Sequence, residues 1–200
     1  MSGDRICFLD NDVLLKLSAY ALLDDAIVAL NFDPDDLYVL ESARFVFRDS
    51  QSVVRRYSQD IRDRAIAFVR RCHPVRTNVG SDEFIALSRL KNLDEGEVGL
   101  LTATKDIPSF ITITGDKRCL KAITNGMGIE AVQHRLQGRV ICLEQVILLL
   151  IRRSGFEWVK VRVVPMWDCD QSLKACFGSG EWAIEENVVA ALEGYIEALR

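Results

Sequence analysis

Short apolar runs alternating with stretches of helical periodicity constrain this chain more than any other feature. The runs stand at residues 5–10, 37–40, 73–79, 110–114 and 139–143. Between them, 11–30, 43–71, 82–91, 95–105, 117–125 and 144–153 read as helices. In 11–30 the apolar stripe is Val13, Leu14, Leu17, Ala21 and Leu22, whereas 43–71 carries Phe45, Val46, Val53, Ile61, Ala65 and Phe68 and is expected to break near Ser50 or Ser58. Strands that alternate with helices pair in parallel and are covered on both faces. The expected fold class is therefore α/β, a three-layer α/β/α arrangement around a central parallel five-stranded sheet. Gly155 is the first plausible boundary, giving a domain over 1–153 and a C-terminal extension over 154–200. In the extension, "WVKVRVV" 158–164 alternates like a half-exposed strand, and 181–199 reads as an amphipathic helix with Val189, Leu192, Ile196 and Leu199 on one stripe. That stripe must dock on its own domain or on another chain, and a homodimer to which it contributes is expected.

Composition narrows the setting. With 49% hydrophobic residues in 200, the chain can bury a full core, and a net charge of −4 gives no global attraction to nucleic acid. "MSGDRI" lacks the regions of a signal peptide, and "VICLEQVILLLI" is too short to span a bilayer and is interrupted by Glu144 and Gln145. No membrane association and a cytoplasmic location are expected. The six cysteines stand singly with no metal-type spacing, so free thiols are expected, and two histidines give little support to histidine chemistry.

Two of the runs end in acid. "ICFLDND" delivers Asp10 and then Asp12, and "ITITGDKRCL" delivers Asp116. In an open parallel sheet the ligand site lies outside the carboxyl ends of the strands, so both acids face the same edge. A third arrives with "LDEGEVGLL", where Asp94 can cap a helix whose first turn carries Glu95 and Glu97. Each acid alone is explained by helix capping, Asp94 and Glu97 forming a capping-box pattern. Together they would repel and raise one another's pKa unless a cation lay between them. A hard divalent cation takes oxygen ligands and suits phosphodiester hydrolysis.

"ICFLDNDVLLKL", "LDEGEVGLLTATKD" and "FITITGDKRCLKAI", in that order, resemble the acidic motifs of the PIN-domain nucleases, small metal-dependent ribonucleases that include toxins of toxin–antitoxin pairs. The resemblance covers about residues 4–150 and implies a strand order of 3-2-1-4-5. It also implies Asp10, Glu97 and Asp116 as catalytic acids holding Mg²⁺ or Mn²⁺, with Asp12 near the metal or its waters and Thr114 in the turn before Asp116. The family usually has one more acid early in the helix after the second strand; here Glu41 stands a few residues before that point, and Arg44 and Phe45 occupy it. RNA or another single-stranded nucleic acid as substrate, and an antitoxin-like partner, follow from the same resemblance. "FLDNDVLL" also resembles the nucleophile motif of haloacid-dehalogenase phosphatases, although Leu14 fills the Thr/Val position and that family uses no equivalent of Glu97. A non-catalytic PIN-like binding module is the third reading.

Arginine is unevenly spread. Residues 44–76 hold nine arginines against three aspartates, a local charge of +6 that leaves −10 for the remainder. Arg44, Arg48, Arg55 and Arg62 share one face if the helix is continuous. With Lys117 beside Asp116, they are the expected nucleic-acid contacts, since arginine forms bidentate bonds to phosphate. A solvated helix face is the alternative.

Overall fold

A computed structural model describes residues 5–199. Residues 1–4, which open the segment read above as lacking a signal peptide, and Arg200 lie outside the described residues. Strand β1 (Ile6–Leu9) leads into α1 (Asn11–Ala19) and α2 (Leu23–Ala29), followed by β2 (Leu37–Leu40). Three helices, α3 (Ala43–Asp49), α4 (Gln51–Arg56) and α5 (Gln59–Val69), precede β3 (His73–Val75). Next come α6 (Asp82–Ser88), α7 (Glu95–Ala103), β4 (Phe110–Thr114), α8 (Lys117–Asn125), α9 (Glu130–Leu136) and β5 (Val140–Cys142). The chain finishes with α10 (Leu143–Ser154), α11 (Phe156–Val163), α12 (Gln171–Cys176) and α13 (Glu185–Glu197).

All strand pairings are parallel, in the order β3-β2-β1-β4-β5. The sheet expected from the apolar runs is present. Strand periodicity divides the core: Cys7 and Leu9 point to one face, packed by α1, α2, α3, α5 and α10, while Phe8 points to the other, packed by α6 to α9. Phe8 there meets Phe110 edge-on at 6.0 Å. The order reverses between β1 and β4, so a crevice opens at their carboxyl ends. Ser81 caps α6 as expected, accepting from the Phe84 amide. All six cysteines are free. Among the described residues no helix is long and apolar enough to cross a membrane.

Several expectations need correction. Segment 11–30 is two helices, because the chain turns at Ala21 (φ 52°) so that Tyr20 and Leu22, on either side, are both buried. Segment 43–71 breaks at both Ser50 and Ser58, each extended at a helix N-cap. The arginines therefore lie on three separate helices, and their even spacing marks no common face. Helix α9 escaped sequence reading because its seven residues are too few for a clear period.

The largest correction is at 158–164, which is helical rather than a strand. A strand would bury Val159, Val161 and Val163 together; instead Val159 and Val163 join Phe156 inside, and Val161 is 60% exposed. Packing against α10 overrides the β-propensity of the valines. Gly155, at φ 93°, makes the corner between α10 and α11 in a conformation that disfavours side chains. The extension is thus all helical, and its buried residues belong to the same core cluster as Leu9 and Ile113. Helix α13 docks in cis on α10 and α12 through Val188 and Leu192, with Val189 and Ile196 of the expected stripe partly buried beside them. The argument for a dimer from an uncovered stripe is removed.

Candidate active site

At the β1–β4 crevice, backbone pairing continues one residue past β1, the Asp10 amide donating to the Ile113 carbonyl at 3.0 Å. This fixes the Asp10 backbone at the sheet edge. Its side chain makes no capping bond to α1 although it holds the N-cap position. It accepts instead from Thr114 Oγ1 at 3.2 Å, and the same oxygen accepts from the Asp116 amide at 3.2 Å. One hydroxyl therefore ties the two strand-end acids together. Asp116 does cap its helix, accepting from the Arg118 and Cys119 amides, and it also pairs with the Arg118 guanidinium at 2.8 Å.

Helix α7 delivers the third acid through the expected capping box. Asp94 Oδ1 accepts from the Glu97 amide, and Glu97 Oε2 accepts from the Asp94 amide, each at 2.8 Å. Both the capping explanation and the convergence of acids are realised. Asp10, Asp12, Asp94, Glu97 and Asp116 line one cleft of 650 Å³, with Arg56, Tyr57 and Arg118 on its wall.

The acids differ electrically. Burial, aided by the charge of Asp12, pushes the Asp10 carboxyl up to about 7. Glu97 is pushed up to about 8, by burial first and then by the charges of Asp94, Asp10 and Asp116. Burial would raise Asp116 too, but the hydrogen bonds from Arg118 and Cys119 hold it below the ordinary carboxylate value. Asp12, on the cleft wall, is paired with Lys16 at 2.5 Å.

Oxygen donors of this kind suit Mg²⁺ or Mn²⁺ chemically. Asp10 and Glu97 stand without a lysine or arginine salt bridge among the described residues. The cage is not ready-made: among the described residues no group of three or more His, Cys, Asp or Glu side chains is arranged to hold a metal ion. Arg118 is paired with Asp116, and Lys16 with Asp12.

Other expected site residues lie elsewhere. Glu41 pairs with Arg76 at 3.6 Å and lines a separate recess, because it directly follows β2 while the cleft acids surround β1 and β4. Lys117 turns away from the cleft onto Glu144 at 2.7 Å and Ser172 at 2.5 Å, over the Tyr195 ring. None of Arg44, Arg48, Arg55 and Arg62 lines the cleft; Arg48 pairs with Asp49 and Arg62 bonds Gln59. The basic side chains that do line it are Arg56 and Arg118. Arg118 was accessible to sequence reasoning, lying within the first turn after a capping Asp116. Arg56 was hidden among eight other arginines. The chain matches no protein-family model, no curated protein and no solved structure.

Proposed function

We propose that the chain is a divalent-cation-dependent nuclease, hydrolysing phosphodiester bonds of RNA in the cleft at the β1–β4 edge. The observation that carries this reading is the pair of buried carboxylates, Asp10 and Glu97, which share one cleft without a basic partner. Residues Asp10 and Glu97 would hold the cation, with Asp116 as the third acid once Arg118 releases it. When bound, Mg²⁺ or Mn²⁺ supplies an activated water and neutralises charge developing on the phosphate.

The remaining roles fall to the chain's own groups. Thr114 orients Asp10 through its hydroxyl, and the Asp94 amide orients Glu97 through one oxygen, the other having no hydrogen-bond partner among the described residues. On the cleft wall, Arg56 and Arg118 can bind phosphate oxygens, the geometry for which arginine is suited. Helices α3 and α4, which reach the cleft through Val46, Ser52, Val53 and Arg56, carry a net positive charge. The 3-2-1-4-5 sheet accords with the PIN-like resemblance. A phosphatase of the haloacid-dehalogenase type has no use for Glu97, which is buried beside Asp10.

The test is cleavage of end-labelled single-stranded RNA with Mn²⁺, Mg²⁺ or chelator, set beside p-nitrophenyl phosphate. Metal-dependent RNA cleavage that Asp10→Asn and Glu97→Gln both abolish is expected. Hydrolysis of the monoester alone, or full activity in either variant, refutes the nuclease reading.

A further inference from the structure

We propose that the C-terminal extension completes the acid cleft through Asp170, a positioning residue that acts on Asp12 by way of Lys16. This rests on the reading of the cleft as the reaction site. Lys16 lies on α1 with its side chain only 8% exposed, where an unpaired ammonium would be strongly disfavoured. It is clamped between Asp12 Oδ2 at 2.5 Å and Asp170 Oδ2 at 2.7 Å. Of the three, only Asp12 lines the cleft.

Both ends of the relay are anchored. Asp170 caps α12, its Oδ1 accepting from the Ser172 and Leu173 amides at 2.9 Å each, so the carboxylate that meets Lys16 is itself fixed by the extension. At the other end the pair abuts the β4–α8 turn. A Cβ on Gly115 would stand 2.5 Å from Asp12 Oδ2 and 3.3 Å from Lys16 Nζ. A side chain at this position would push the clamped Asp12 carboxylate aside, so the turn lies directly against the ion pair, and the next residue is Asp116. A second contact crosses the same boundary, from Arg56 on the cleft wall to the Cys169 carbonyl at 2.5 Å. Two consecutive residues of the extension thus steady two residues of the cleft from behind.

Asp170→Asn keeps an oxygen for the α12 amides and removes the charge that faces Lys16. In the full-length, metal-free chain, this variant should exchange its 115–119 amides several-fold faster while the central amides of α10 and β1 keep wild-type rates. It should also raise the Mn²⁺ concentration for half-maximal RNA cleavage about tenfold, the usual scale for a group behind a metal-facing residue. Asp170→Glu should restore both in part. If Asp170→Asn does not fold, Lys16→Arg, which keeps the charge and shifts its position, should show the same selective loosening. Wild-type exchange at 115–119, or acceleration shared equally by α10 and β1, overturns the proposal and leaves Asp170 a helix cap. Should the wild-type chain cleave no RNA at any Mn²⁺ concentration, the nuclease reading fails, and the exchange comparison still decides whether Asp170 positions the turn.

Discussion

Glu144 and Asp170, 2% and 7% exposed, each meet a lysine ammonium at 2.7 Å, whereas Asp10 and Glu97, 7% and 8% exposed, are held by a hydroxyl and a backbone amide, with no lysine or arginine salt bridge among the described residues. Burial costs all four carboxylates the solvation of their charge. At Glu144 and Asp170 the chain supplies the compensation itself, and those acids fasten elements together: Glu144 on α10 holds Lys117 of α8, and Asp170 ahead of α12 holds Lys16 of α1. At the β1–β4 edge no lysine or arginine does so, and the cost shows as carboxyls raised to about 7 and about 8. A fold that can place lysines under Glu144 and Asp170 could also place one beside Asp10, and the contrast supports a site kept open for an external cation.

The sharpest way to break this contrast is to remove one acid from each pair and compare stabilities. Glu144→Ala leaves Lys117 half-buried without its counter-charge, and urea unfolding should show a loss of about 3–5 kcal/mol. If Asp10→Ala in metal-free protein costs as much, the two pairs do the same structural job and the distinction collapses.

A smaller effect should appear in the pH dependence. Folding raises the carboxyls of Asp10 and Glu97 from ordinary values of 3.8 and 4.5 to about 7 and about 8. The folded chain therefore holds protons that the unfolded chain has already released, so their contribution to stability is full below about pH 4 and is lost as pH rises through those raised values. Without metal, Asp10→Asn should stabilise the protein by up to about 4 kcal/mol at pH 8 and leave it unchanged near pH 4. Millimolar Mn²⁺ should stabilise the wild type at pH 8 and the variant much less. A difference between wild type and variant that is the same at both pH values would mean that Asp10 is not held protonated by the fold.

The smallest stability change is expected at Arg118, which is largely exposed and whose bond to Asp116 is screened by water. Arg118→Ala should leave the urea unfolding midpoint essentially unchanged, because an exposed ion pair is screened by solvent. By freeing Asp116 it should nevertheless tighten Mn²⁺ binding several-fold in calorimetric titration, while weakening RNA affinity. Weaker Mn²⁺ binding in this variant would show that Arg118 organises the acids instead of competing for one.

Much of this could be read along the chain. The five strands, their parallel pairing and the delivery of Asp10 and Asp116 to one edge follow from apolar runs that end in acid, because strand direction and helical crossovers leave few other topologies. The capping box of Asp94 and Glu97 was equally legible, being a local pattern of four residues. Helix against strand at 158–164 was not, since "WVKVRVV" satisfies a period of two while Val159 and Val163, with Phe156 just before it, stand at helical spacing as well.

Near neighbours and strand polarity therefore suffice for the parallel sheet and for three acids at its carboxyl edge, while the strand order was implied by the family resemblance alone. Charge pairing was decided only by the tertiary structure. Nothing in the spacing says that Lys16 meets Asp170, that Lys117 turns to Glu144, or that Arg56 reaches the cleft while Arg44, Arg48, Arg55 and Arg62 do not. Those outcomes depend on which helix packs where and on how deeply each charge is buried, since a buried charge must find its partner across the fold, whereas an exposed one is satisfied by water.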